Sequence, residues 1–208
     1  MYKRQAECNL THLTHLLSDN SNKKFNREKA IQIRELARKS IGLNSNSVSL
    51  ELKQTISIIR FIQEQLDDVE KRIKEILKEI NSPILTIPGI SFKTAGSILA
   101  EIGDISRFDS PAKLLAFAGL DPSMYQSGKF FSTHSVMVKR GSKYLRFALM
   151  TAARMVCLND VTFNEFKNKK MAEGKHYMVT MGHVAKKLVR VIYYLLKTNN
   201  VYQANKVA

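Results

Sequence analysis

The chain has 208 residues, of which 44% are hydrophobic, 25% charged and 8% aromatic, with no Trp, nine Gly and four Pro; this is the make-up of a folded helical protein and excludes a disordered tail, a collagen-like fibre and a disulfide scaffold. Lys and Arg number 33 against 18 Asp and Glu, and a net charge of +15 points to a polyanionic partner. Two distant cysteines, Cys8 and Cys157, fit free thiols in a reducing cytoplasm, and neither the charged N-terminus nor the apolar run broken by Arg190 reads as a signal core or a membrane span.

Near the N-terminus, Cys8, His12 and His15 fall at i, i+4 and i+7, which would put three soft ligands on one helix face; no fourth ligand is in view and no metal site is assigned. Phe25, Ala30, Ile33, Leu36, Ala37 and Ile41 predict a helix closed by Gly42. Leu52, Thr55, Ile59, Ile62, Leu66, Val69, Ile73, Ile76 and Ile80 follow a 3-4 repeat with one polar position, the pattern of a coiled-coil helix over Val48 to Ile80. At about 1.5 Å per residue that helix is roughly 50 Å long, and its apolar seam requires either a neighbouring helix or a second copy. Pro83 ends it, predicting a boundary between a helical linker and coiled coil (1–81) and a compact C-terminal domain (82–208).

Beyond that boundary the sequence predicts short helices over Thr94 to Ile102, Ser110 to Leu120, Lys143 to Leu158 and His183 to Lys197, with Ser110 as N-cap and Pro111 at the first helical position. The pattern lapses between Asp121 and Gly141, and Phe130 to Val138 reads as a loop or a short β-ribbon. The fold class is therefore mainly α: a long coiled-coil arm followed by a basic helical domain. Residues 129–197 alone hold fourteen bases and three acids, so a phosphate backbone would be gripped there.

Two segments are candidates for chemistry. Leu85 to Gly103 looks like a helix-hairpin-helix element, in which the Pro88-Gly89 turn lets backbone N–H groups approach a phosphate; Gly89, Ser91 and Lys93 are its candidate DNA contacts, although Ser91 stands where a second glycine is usual. In the second, Tyr125-Gln126-Ser127-Gly128-Lys129 is followed by Lys139-Arg140-Gly141-Ser142-Lys143-Tyr144-Leu145-Arg146. A serine hydroxyl followed by glycine stays accessible, and clustered cations stabilise a phosphorane-like transition state. His134 is a lone histidine seven positions from Ser127.

Pro88-Gly89-Ile90, Ala100-Glu101-Ile102-Gly103-Asp104, Leu115 to Pro122, Tyr125 to Gly128 and Lys139 to Arg146 occur in the order and spacing of the C-terminal transposase domain of the insertion-sequence family called IS one-ten, and the match extends over 82–197. The resemblance implies a site-specific recombinase that pairs donor and target DNA through a guide (bridge) RNA. It implies that Ser127 attacks a DNA phosphodiester, and that Lys129, Lys139, Arg140, Lys143 and Arg146 bind phosphates. Members of that family begin with an acidic α/β domain that holds divalent metal. No such half is seen here, so the expected Mg2+ belongs to a part missing from this chain, which holds no metal ligands of its own. The expected protein is thus a bacterial, cytoplasmic, DNA-binding transposase segment that forms homo-oligomers through its coiled coil. The alternative is a truncated remnant that binds nucleic acid without cutting it.

Overall fold

A computed structural model describes residues 2–40, 46–123, 126–127, 130–131 and 136–204. Ile41, Gly42, Tyr125, Gly128, Lys129 and His134 lie outside the described residues. The chain divides into two compact units, Met1–Leu66 and Asp67–Ala208. It is mainly α-helical, as its composition predicts.

In the first unit, α1 (Tyr2–Glu7) and α2 (Leu10–Asp19) both pack on α3 (Arg27–Lys39), burying Leu13, Ala30 and Ala37. Asn9 starts α2 by accepting from Thr11 N at 2.9 Å, which satisfies one of the helix's orphan donors. That cap corrects the expected His/Cys face: Cys8 precedes it and is not on the helix of His12 and His15. Among the described residues no three His, Cys, Asp or Glu side chains gather where an ion could bind. Asn26 caps α3, whose last turn holds Arg38 and Lys39 at the negative end of the helix dipole.

Helix α4 (Asn46–Ile80) has 35 residues and matches the predicted arm. Most of its apolar repeat is open: Ile59, Ile62, Leu66, Val69, Ile76 and Ile80 are all about half exposed. The C-terminal turns behave differently, for Ile73 and Leu77 pack on α5 (Phe92–Ile102) where Gly96 allows close approach. A Cβ at Gly96 would come within 2.9 Å of Ile73 Cγ2. Pro83 opens a 3-10 turn, Pro83–Thr86, as the break after Ile80 requires.

The rest of the second unit is built on α9 (Tyr177–Thr198), an amphipathic helix whose buried residues include Met181, Val184, Leu188 and Ile192. Around it lie α6 (Pro111–Phe117), α7 (Lys143–Asn159) and α8 (Val161–Ala172), with α5 laid on α7. Ser110 caps α6 by accepting from Lys113 N, with Pro111 in its first turn. Helix α8 was not expected, and α9 begins six residues before the predicted His183, capped by His176. Asp160 joins α7 to α8: its N–H donates to Val156 O at 2.8 Å and its carboxylate accepts from Phe163 N at 2.9 Å. Among the described residues no helix is long and apolar enough to cross a membrane.

Candidate nucleic-acid interface

The stretch between α6 and α7, where helical patterning lapses, folds into a hairpin. Its neck is zipped by backbone bonds: Lys139 N to Gly119 O (3.0 Å), Val138 N to Asp121 O (3.0 Å) and Ser123 N to Val136 O (2.7 Å). Further out, β1 (Gln126–Ser127) pairs antiparallel with β2 (Phe130–Phe131), Ser127 opposite Phe130. Ser127 thus stands on a strand beyond the neck; of the loop or short β-ribbon expected over Phe130 to Val138, Phe130–Phe131 forms the paired strand, and the ribbon takes in Gln126–Ser127, which that expectation did not include.

Four residues fix the neck to the helical body. Arg146, on the first turn of α7, donates through Nη1 to Ala118 O (3.2 Å) and Lys139 O (3.1 Å), tying the end of α6 to the returning arm. Gly119 and Gly141 have φ of +64° and +115°, and each sits against backbone: a Cβ would lie 2.4 Å from Arg140 O and 2.2 Å from Phe117 O respectively. Ser142 caps α7, accepting from Leu145 N at 3.0 Å, while its hydroxyl donates to Glu101 Oε2 at 2.5 Å. The anchoring duty of Arg146 and the Ser142–Glu101 contact are non-local, so no spacing in the sequence announces them. Ser142→Ala removes both the cap and the carboxylate bond and is expected to cost about 1–2 kcal/mol, read as a lowered urea midpoint.

Lys139, Arg140 and Lys143 are all exposed at the base of the hairpin. Lys139 has φ +58°, and Lys143 Nζ lies 5.0 Å from the Tyr144 ring, itself 65% exposed. Among the described residues none of these three cations is in an ion pair. Asp121 is the one acid in the neck, and its Oδ1 is buried without a hydrogen-bond partner.

The Pro88-Gly89 turn lies elsewhere on the unit. Gly89 (φ +92°) rests on the backbone of α7, where a Cβ would meet Met155 O at 2.6 Å, so the need for glycine there is one of packing. Ser91 caps α5 by accepting from Thr94 N at 3.2 Å, and exposed Lys93 is ion-paired with Glu70. The structure therefore gathers Lys139, Arg140, Lys143 and Arg146 at one neck and leaves Gly89, Ser91 and Lys93 with the α5 turn.

A second basic feature lies on α9. A cavity of about 580 Å³ opens between α8, α9 and the tail 200–203. His183, Lys186, Lys187, Arg190 and Tyr194 line it at helical spacing. Burial and the neighbouring lysines push the His183 imidazole below its ordinary range, and burial lowers Lys187. Lys187 Nζ sits 5.0 Å from the Phe166 ring and 5.6 Å from that of Phe163. The tail is held by two bonds, Tyr202 N to Thr86 Oγ1 (2.8 Å) and Tyr202 OH to Asp160 Oδ2 (2.9 Å); burial and that carboxylate drive the phenol upward from its ordinary pKa. The sequence reading passed over this stripe because the alternating Leu188, Val189 and Ile192 mark α9 as core.

Comparison with known proteins accords with this arrangement. Residues 81–169, spanning α5 to most of α8 and the whole hairpin, match the transposase family IS116/IS110/IS902. The chain is 26% identical over 164 residues to the insertion element IS110 uncharacterized 43.6 kDa protein of Streptomyces coelicolor, covering 77% of this chain and 40% of that one. It is 30% identical over 151 residues to the pilin gene-inverting protein of Moraxella bovis, covering 69% and 47%. Against the transposase for insertion sequence element IS1328 of Yersinia enterocolitica it is 29% identical over 151 residues, covering 68% and 44%. The chain thus spans less than half the length of these curated relatives. On the ordered motifs, the family match and these relatives, the chain carries a transposase segment of the IS110 family.

Proposed function

We propose that this chain supplies the nucleophile-bearing half of a DNA transposase or recombinase. Ser127 Oγ attacks a DNA phosphodiester, an Oγ–P bond forms, one bridging P–O bond breaks, and the hydroxyl proton passes in net to the departing strand oxygen. The phosphoserine ester conserves the energy of the broken bond, so a second strand end can reverse the step and complete exchange. Lys139, Arg140 and Lys143 hold the scissile strand's phosphates and offset the charge that builds on phosphorus. Arg146 acts through the neck that it clamps.

The observation behind this reading is the hairpin itself: a strand bearing Ser127, fastened at its root and fringed there by Lys139, Arg140 and Lys143, none of them ion-paired among the described residues, within the matched segment. The relatives named as transposases and as a gene-inverting protein support DNA as the partner. In this reading the Mg2+ and the bridge RNA are those that the family resemblance implies, the metal being held by that family's acidic domain. The open apolar seam of α4 at Ile59, Ile62, Leu66 and Val69 supports pairing with a second copy as a coiled coil; sedimentation of a monomer at high concentration would remove that part. The reading of α5 and its Pro88-Gly89 turn as a helix-hairpin-helix contact to the DNA backbone belongs to the same proposal.

The test is Ser127→Ala in the full-length transposase, incubated with DNA carrying its recombination sites and quenched with detergent. Covalent protein–DNA adducts are expected to vanish while salt-sensitive DNA binding persists. Adducts at the unaltered level would discard Ser127. Loss of covalent chemistry from every form of the protein, with binding intact, would favour the second reading, a nucleic-acid-binding remnant whose +15 charge is its main asset.

A further inference from the structure

We propose that the cavity between α8, α9 and the tail receives one unpaired nucleotide of a single-stranded nucleic acid, with Lys186 and Arg190 on its phosphates and its base stacked on Tyr194. The inference rests on the nucleic-acid reading above and adds a second contact point, on α9. Its volume, about 580 Å³, falls within the range of roughly 300–1,000 Å³ in which small-molecule sites are found.

Three observations specify the ligand. First, the charge is uncompensated: among the described residues neither Lys186 nor Arg190 is in an ion pair, and the acids nearby are engaged, Glu173 with Lys170 and Lys175, Asp160 with Tyr202 and the start of α8. Second, an aromatic platform lies beside the cations. Tyr194 is 54% exposed and falls one turn beyond Arg190, while Lys187 is drawn onto the Phe163 and Phe166 rings and forms part of the wall. Third, the tail that forms one wall is held in place by the two Tyr202 bonds, and Asn200 and Gln203 beside Tyr202 line the cavity, their amides able both to donate to and to accept from a base edge.

Cations with an open ring beside them suit a ligand that is anionic at one end and flat at the other. Duplex DNA keeps its base faces stacked and offers only phosphates, and a carboxylate-rich peptide offers charge without a planar ring. An unpaired nucleotide offers both, and base–aromatic stacking tolerates any sequence.

The experiment uses fluorescence anisotropy on the whole chain, with a labelled oligothymidylate of about twelve nucleotides, an oligouridylate of the same length and the corresponding duplex as probes. Tyr194→Ala is expected to weaken single-strand binding about tenfold with an unchanged salt slope, and Tyr194→Phe to restore it. Lys186→Ala with Arg190→Ala should lower the slope of log affinity against log salt by about 1.4, at roughly 0.7 per phosphate contact. Circular dichroism of each variant separates lost binding from lost folding. If the parent protein binds steeply with salt while all these variants bind as it does, the cavity assignment is wrong and the nucleic-acid reading stands. If Tyr194→Ala weakens the duplex equally, or polyglutamate displaces the probe as well as free oligonucleotide does, the unpaired-base assignment fails. A parent protein that binds none of the probes overturns both readings.

Discussion

Gly141→Ala is expected to destabilise the second unit by at least about 3 kcal/mol and to open the hairpin neck. Two penalties combine. At φ +115° any L side chain is strained, by about 1–3 kcal/mol. The added methyl would also lie 2.2 Å from Phe117 O and 2.9 Å from its carbonyl carbon. That carbonyl ends α6, and its oxygen accepts from Ser142 N at 2.8 Å, so it cannot retreat without breaking the bond that holds the α7 cap residue against α6. Urea unfolding followed by circular dichroism checks the first part, and a midpoint equal to that of the parent protein contradicts it. If the neck positions Ser127, covalent adducts should fall more steeply than the residual folded fraction.

Phe163→Ala should cost about 3–5 kcal/mol, the usual toll for emptying a fully buried aromatic site. Phe163 has no exposed surface, and its ring stacks on Tyr202 at 6.5 Å with 30° between planes. Lys187 Nζ lies over the same ring, 5.6 Å from its centroid. The substitution therefore empties core volume and removes the support of the tail at once. Thermal unfolding measures the first effect. The second predicts faster proteolytic cleavage around 199–203 under conditions where the helices remain folded. An unchanged melting temperature would mean that α8 does not pack as described.

The large elements were legible because their physics is local. The 3-4 repeat of α4, the Ser110-Pro111 start of α6 and the apolar period of α7 each announce a helix from neighbouring residues. Helix α8 escaped for the converse reason: its apolar residues are spread round the helix and only Phe163 is buried, so no stripe marks it. The early turns of α9 were missed because Tyr177, Met178 and Val179 are exposed and Gly182 falls inside the helix. Around the hairpin, the cations could be read from the sequence, but their division of labour could not. Arg146 looks like its neighbours in sequence, yet it is its two carbonyl acceptors, 28 and 7 residues away, that make it an anchor. The backbone bonds that zip the neck leave no trace in side-chain pattern at all.

The bond from Tyr202 to Thr86 turns the intervening stretch into a ring closed by its own far end. A carboxypeptidase trimming inward should therefore stall at Tyr202, since removing that residue unlatches two separate segments together, Thr86 from its backbone N–H and Asp160 from its hydroxyl. Affinity tags and fluorescent labels placed C-terminal to Tyr202 would spare this clasp, whereas a terminus engineered before Asn200 would convert the ring into an open chain.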